Sequence, residues 1–142
     1  MGSPRNYIKN IKLPLIGLHN IRNSTAAAAL AFSVGIPNKI IKKGLENFAG
    51  VQRRFKKIFS YKNVSFYDDY AHHPTEIGEV LNGVREVYKD KEIVCVFQPH
   101  RISRVKNLHE EFSKSFKKAD TVILCPIYKA GENLNLGFSY NS

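Results

Sequence analysis

Three short apolar runs, "VSFYDDY" (64–70), "EIVCVF" (92–97) and "TVILC" (121–125), are separated by stretches with helical periodicity, and this alternation constrains the fold more than any other feature. Continuous runs rich in β-branched residues are the mark of strands covered on both faces, and intervening helices make a parallel sheet the simplest way to connect them. After the first run, "PTEIGEVLNGVREVY" sets Ile77, Val80, Leu81, Val84 and Val87 on one side of a helix. Glu76 falls in its first turn, where a negative charge suits the exposed N–H groups. After the second, the polar loop "QPHRISR" leads into a helix around "VKNLHEEFSKSFKKA". Residues 50–142 therefore read as a partial Rossmann-like α/β domain with a parallel sheet of three strands. So thin a sheet has open edges, and the ending "YKAGENLNLGFSYNS" offers no further helix to cover it, so the domain is expected to be incomplete.

Residues 1–49 read differently, as a helical piece. "YIKNIKLPLIGLH" (7–19) is interrupted by Pro14 and Gly17, which predicts a short edge strand and a turn. From Asn20 the chain becomes "NIRNSTAAAALAFSVG", where consecutive alanines favour a tightly packed helix that Gly35 can stop. Pro37 suits the first turn of a second helix carrying Ile40, Ile41, Leu45 and Phe48, with Gly50 as terminator or hinge.

Hydrophobic residues at 43% and charged residues at 24% fit a folded chain and exclude intrinsic disorder. No apolar run approaches the roughly 20 residues that span a bilayer, and "MGSPRNYIKNIKL" lacks a secretory apolar region, so a cytoplasmic protein without a membrane partner is expected. Cys95 and Cys125 sit in the second and third strands as small hydrophobes rather than as a disulfide or a nucleophile. The net charge of +10 is uneven: residues 1–63 hold 12 Lys or Arg against the single acid Glu46, and residues 64–142 hold 10 against 11. That asymmetry points either to two units or to one face for an anion such as a polyphosphate or nucleic acid.

In α/β sheets ligands collect at the carboxyl ends of strands, and here three polar loops, "DDYAHHPTE", "QPHRISR" and "PIYKAGE", each follow a predicted strand. Asp68, Asp69, His72 and His73 are metal-ligand types. Adjacent histidines in an extended segment face apart, however, and no third ligand is identifiable, so no metal site is assigned. A loop that hydrogen-bonds a bound group and a helix-capping turn are the other readings. His100, Arg101 and Arg104 fit either recognition of a carboxylate or phosphate by guanidinium groups or a solvated helix start. Arg53 or Arg54 in "VQRRF" can reach a phosphate. Asn20 and Asn23 share a helix face, as base-recognising amides or, for Asn20, as a cap. The basic clusters lack the interleaved aromatics or recognition helix of a nucleic-acid binder, so RNA or DNA is not an expected partner.

The ordered set "GLHNIRNSTAAAA", "GVQRRF", "DDYAHHPTEI", "FQPHRISR" and "YKAGE" resembles the Mur ligases over nearly the whole chain, at the end of the family's central ATP-binding domain (1–49) and the beginning of its C-terminal domain (50–142). The "HHPTE" and "PHRxSR" pair is similar to the branch that joins L-alanine to UDP-N-acetylmuramate. The branch that recycles a murein tripeptide is the nearest alternative, and a noncatalytic nucleotide- or RNA-binding remnant is the alternative of a different class. The resemblance implies ATP- and magnesium-dependent amide formation in peptidoglycan synthesis. It places Asn20 and Asn23 at the adenine, Arg54 at the ATP phosphates, and Asp69 and Tyr70 beside the nucleotide. His72 and His73 line the site loop, and His100, Arg101 and Arg104 receive alanine. Arg54, Asp69 and His73 are the residues it marks as catalytic. No "GKT" or "GKS" phosphate loop occurs in the chain, and the family's loop and magnesium ligands lie upstream. The chain is therefore expected to be a ligase fragment, inactive alone, with a separately encoded N-terminal half as a candidate partner.

Overall fold

The computed structural model describes residues 7–132, which divide into two compact units, the first ending at Tyr70 and the second beginning at Ala71. The segment 133–142, expected to run on from the third strand uncovered, lies outside the described residues.

In the first unit, α1 (Leu18–Ser33) and α2 (Asn38–Glu46) form where alanines and unbranched side chains dominate. Gly35, at φ 80°, ends α1: Ile36 N donates to Ala31 O and Gly35 N to Phe32 O, both at 3.0 Å. This pair of bonds closes a helix when a glycine takes the left-handed conformation. The expected edge strand at 7–19 is not formed, since residues 7–17 are irregular and no described strand pairs with them. Pro14 removes a donor and Gly17, at φ 95°, turns the chain directly into α1. Asn20 is not the cap. The helix starts at Leu18, and the Asn20 side chain donates back to Ile16 O at 2.7 Å because an amide in the first turn faces the carbonyl before it. Nor is the alanine-rich helix tightly packed: no residue of α1 is buried, and Leu30 and Val34 are each 68% exposed. Alanine brings little area of its own, so such a face gains burial only from a closely apposed surface. Between α1 and the 8–15 segment lies an open apolar groove of about 510 Å³, lined by Ile8, Ile11, Leu15, Ile21, Ala28 and Phe32.

The same unit ends in a hairpin. β1 (Lys56–Tyr61) pairs antiparallel with β2 (Val64–Asp68), with a bulge between Lys57 and Phe59 and a reversal at Lys62, φ 51°. The "VSFYDDY" strand thus pairs antiparallel rather than joining a parallel sheet of three. Its partner "KKIFSY" was hidden by lysines and by the lack of alternation. What makes the pairing favourable is cross-strand: Phe59 stacks on Phe66 at 4.3 Å, and Phe55 on Tyr67 at 4.4 Å. Such pairs contribute about 0.5–1.5 kcal/mol each beyond area burial.

In the second unit, α3 (Pro74–Val87) buries Ile77, Leu81 and Val84 of the expected apolar side, while Val80 is half-buried and Val87, in the last turn, is 54% exposed. β3 (Val94–Phe97) runs parallel to β4 (Thr121–Leu124), in register from Val94↔Thr121 to Phe97↔Leu124. The chain between them was expected to hold one helix but forms two, α4 (Ile102–Asn107) and α5 (His109–Ser115), broken at Leu108 with φ −121°. At 3.6 residues per turn, Ile102 and Phe112 would stand about 80° apart on one straight helix. The break lets both turn inward, to 4% and 7% exposure. Phe97 closes this core against the rings of Phe112 at 5.7 Å and Phe116 at 5.2 Å. The cover is one-sided: Phe97 is buried, but Val94 and Val96 on the opposite face are 51% and 65% exposed.

Arg85 buckles the far end of this unit. Its guanidinium donates to Asp120 Oδ2 at 2.6 Å, to Lys118 O at 3.1 Å and to Lys91 O at 2.8 Å, while Asp120 also accepts from Ile93 N at 2.7 Å. The Ile93 amide and the Arg85 guanidinium hold the Asp120 carboxyl below its usual range. Cys95 and Cys125 are free and half-buried, and burial pushes the Cys95 thiol up, away from the reactive thiolate. Among the described residues no helix is long and apolar enough to cross a membrane.

Candidate functional site

In the second unit, the loops after β3 and β4 run on side by side. Tyr128 N donates to Pro99 O and Arg101 N to Tyr128 O, both at 2.8 Å, so His100 and Tyr128 form a further parallel bridge. This extension brings the His100 ring to 5.1 Å from that of Tyr128 and 5.9 Å from that of His72. Arg101 then enters α4 in the left-handed region, φ 70°, and Arg104 reaches back toward His100 O at 3.5 Å. The start of α4 is held from the β4 side: Glu132 accepts from Ser103 Oγ at 2.6 Å and from Ser103 N at 3.0 Å. The Ser103 side-chain bond, then its amide, hold the Glu132 carboxyl below its usual range. His72, His100, Arg101, Arg104 and Tyr128 thus share one rim, at the carboxyl ends of β3 and β4.

His73 and Glu76 play a different part. His73 Nδ1 accepts from Thr75 N at 3.3 Å, and Glu76 Oε2 accepts from His72 N at 3.1 Å and His73 N at 3.3 Å. The "HHPTE" motif is therefore a capping arrangement that starts α3 and, through it, fixes His72 beside His100.

In the first unit, Asn20 and Asn23 lie one turn apart on α1, with Asn23 exposed. Near the hairpin, Arg53 pairs with Asp68 at 3.6 Å and lies over the Tyr70 ring at 4.7 Å, while Asp69 Oδ2 accepts from Phe55 N at 2.7 Å. Arg54, between them, is exposed and has no hydrogen bond or ion pair among the described residues. No cluster of three or more His, Cys, Asp or Glu that fits a metal ion occurs among the described residues.

Residues 53–138 match the family described as Mur ligase, glutamate ligase domain. The chain belongs to the Mur ligase family. It is 69% identical over 135 residues to a protein named UDP-N-acetylmuramate–L-alanine ligase from Pelagibacter ubique, an alignment covering 95% of this chain and 29% of the relative. A solved structure of the UDP-N-acetylmuramate–alanine ligase from Thermotoga maritima superposes with a TM-score of 0.75 at 36% identity, over 88% of this chain and 27% of that one. A murein peptide ligase from Psychrobacter arcticus shares the fold, with a TM-score of 0.52 at 21% identity over 82% of this chain and 30% of that one. The chain spans less than a third of the length of these Mur ligases.

On this Mur ligase rim, His100 is held below its ordinary 6.5 by desolvation first, then by Arg104, His72 and Arg101, with Glu132 opposing. Its Nδ1 is enclosed with no hydrogen-bond partner among the described residues. Since the unfolded chain binds this proton at higher pH than the folded one, the associated stability is full above about 6.5 and is lost as pH falls through the lowered folded value. The urea midpoint is expected to fall between pH 7.5 and 5.5, and the His100→Gln chain to lose that step. Asp120 and Glu132, also lowered, act below 3.8 and 4.5 and stay outside this window.

The residues that sequence reasoning did not single out are Tyr128, Ser103 and Glu132. "YKAGE" was in view, but the Glu132–Ser103 pair spans 29 positions and leaves no local signal.

Proposed function

We propose that this chain is the amino-acid-accepting segment of an ATP-dependent ligase that joins L-alanine to UDP-N-acetylmuramate. The observation that carries this reading is the rim where His100 stands beside the cationic Arg101 and Arg104, set by paired loops, in a chain so similar to a protein of that name. Arg101 and Arg104 offer planar forks to the alanine carboxylate, and the neutral His100 ring keeps a third positive charge from crowding them. His72 and His73 edge the acceptor site. Because Thr75 N occupies His73 Nδ1, Nε2 is the ring nitrogen left for a substrate contact.

In the reaction, the lactyl carboxylate attacks the γ-phosphorus of ATP and ADP leaves. The alanine amine then attacks the acyl carbon, phosphate leaves, and the amine proton is released. Charge neutralisation and placement dominate such chemistry. Arg54, unpaired within the described residues, is the group for the transferring phosphoryl. Asn23 and the Oδ1 of Asn20, whose amide nitrogen is engaged by Ile16 O, face the adenine. Magnesium accompanies ATP in this reading, but the described residues hold no cluster that fits it.

The test is a chimaera in which this chain replaces the matched segment of the Pelagibacter ubique ligase. With ATP, magnesium and UDP-N-acetylmuramate it is expected to release ADP in an alanine-dependent manner, while the isolated chain releases none. Turnover by the isolated chain, or an inert but folded chimaera, would overturn the proposal.

A further inference from the structure

The turn Arg53–Arg54–Phe55 is unusual in its backbone. Arg53 (φ 57°) and Phe55 (φ 45°) both occupy the left-handed region without being glycine, and they flank Arg54. Each such residue carries strain of order 1 kcal/mol and persists only where its surroundings over-determine it.

The surroundings are supplied by one contiguous stretch, "YDDY", at the end of β2. Tyr67 stacks on the Phe55 ring, nearly parallel at 5°. Asp68 pairs with the Arg53 guanidinium, and Asp69 Oδ2 takes the Phe55 amide at 2.7 Å. Tyr70 N donates to Arg53 O at 2.8 Å and its ring lies under that guanidinium. Four successive residues therefore grip both neighbours of Arg54, and none of these contacts uses Arg54 itself. One arginine of the pair is consumed in holding the turn, and the other is presented by it.

We infer that "YDDY" is a clamp, and that Asp69 is a positioning residue that acts through its bond to the Phe55 amide to aim Arg54 at an anionic phosphoryl group. The inference rests on the proposed reading of Arg54. It assigns Asp69 a job that needs a hydrogen-bond acceptor and not a negative charge. An asparagine side chain has that acceptor; an alanine does not.

Four chimaera variants separate the possibilities, with kcat and KM for ATP as the readout: Arg54→Ala, Asp69→Ala, Asp69→Asn, and the Arg54→Ala/Asp69→Ala double. A displacement of about 1 Å can cost on the order of 100-fold, so Asp69→Ala is expected to lose about that much in kcat. Asp69→Asn is expected to recover all but about fivefold of it, since it restores the same acceptor. The double variant is expected to be no slower than Arg54→Ala, because a residue acting only through another adds nothing once that other is gone. Amide exchange of Phe55 in the isolated chain reads the clamp without activity: it is expected to be slow in the native and Asp69→Asn chains and fast in Asp69→Ala. If Asp69→Asn is as slow in turnover as Asp69→Ala, or if the two losses multiply in the double variant, the carboxylate has a charged role of its own and the inference is overturned. If Arg54→Ala alone leaves kcat intact, it is the reading of Arg54 that fails.

Discussion

Replacing Arg54 with alanine in a ligase carrying this segment is expected to lower kcat about 100- to 1,000-fold, the range seen when one preorganised donor to a developing charge is removed. The size of the effect follows from how little else Arg54 does. It is exposed and makes no ion pair or hydrogen bond among the described residues, so its loss leaves no buried partner unsatisfied. Folding should be unchanged, with a urea midpoint at the native value. Arg53→Ala is the contrast, because Arg53 is committed to Asp68 and Tyr70. It is expected to act through the turn, with a smaller loss of kcat. The KM for L-alanine should stay within about threefold in both, since the role proposed for Arg54 is on the phosphoryl side and not at the acceptor's carboxylate. A native-like kcat in Arg54→Ala would remove Arg54 from the site.

The second large effect is expected at α4. Arg104→Ala should raise the KM for L-alanine about 30- to 5,000-fold, corresponding to the 2–5 kcal/mol lost when one member of a desolvated, hydrogen-bonded charge pair is truncated. Arg104→Lys should recover little of this, because an ammonium cannot reproduce the two-pronged fit to a carboxylate. Arg101 allows a cleaner version. Its φ of 70° is a conformation glycine adopts freely, so Arg101→Gly removes the guanidinium while keeping the backbone in the geometry it already has. Expected is a raised KM for L-alanine with a stability equal to or above the native chain's. An unchanged KM in both Arg101→Gly and Arg104→Ala would mean that the rim does not receive the acceptor.

Much of the second unit could be read from residues in sequence because its signals are local. The α3 periodicity, Glu76 in the first turn and the two apolar runs that pair in parallel are all properties of neighbours a few positions apart. The first unit was less legible. β1 is specified by Phe59 meeting Phe66 and Phe55 meeting Tyr67 across a reversal, which no window along "KKIFSY" contains. Asn20 has the composition of a cap, but the helix begins two residues earlier, and its amide is spent on Ile16 O. The break at Leu108 follows from the need to bury both Ile102 and Phe112, a demand of the core rather than of the segment.

The site shows the same division. The residue types of "DDYAHHPTE" and "QPHRISR" marked where chemistry gathers, but not which side chains hold and which are held. In the structure Arg53 is engaged and Arg54 is presented, His73 caps α3 while His72 lies beside His100, and Glu132 secures the start of α4 from the next loop. Arg53 against Arg54 and His72 against His73 are choices between adjacent residues of the same type, decided by contacts that residue type alone does not reveal.

The most direct measurement is acceptor preference in the chimaera, read as ADP release at fixed ATP, magnesium and UDP-N-acetylmuramate with either L-alanine or a murein tripeptide. On the proposed reading, in which His100, Arg101 and Arg104 receive the carboxylate of a small amino acid, L-alanine is expected to support turnover comparable to the unmodified relative's, and the tripeptide little or none. Turnover with the tripeptide and not with L-alanine, from a folded chimaera, would contradict the assignment of this segment as the alanine-accepting part of the ligase.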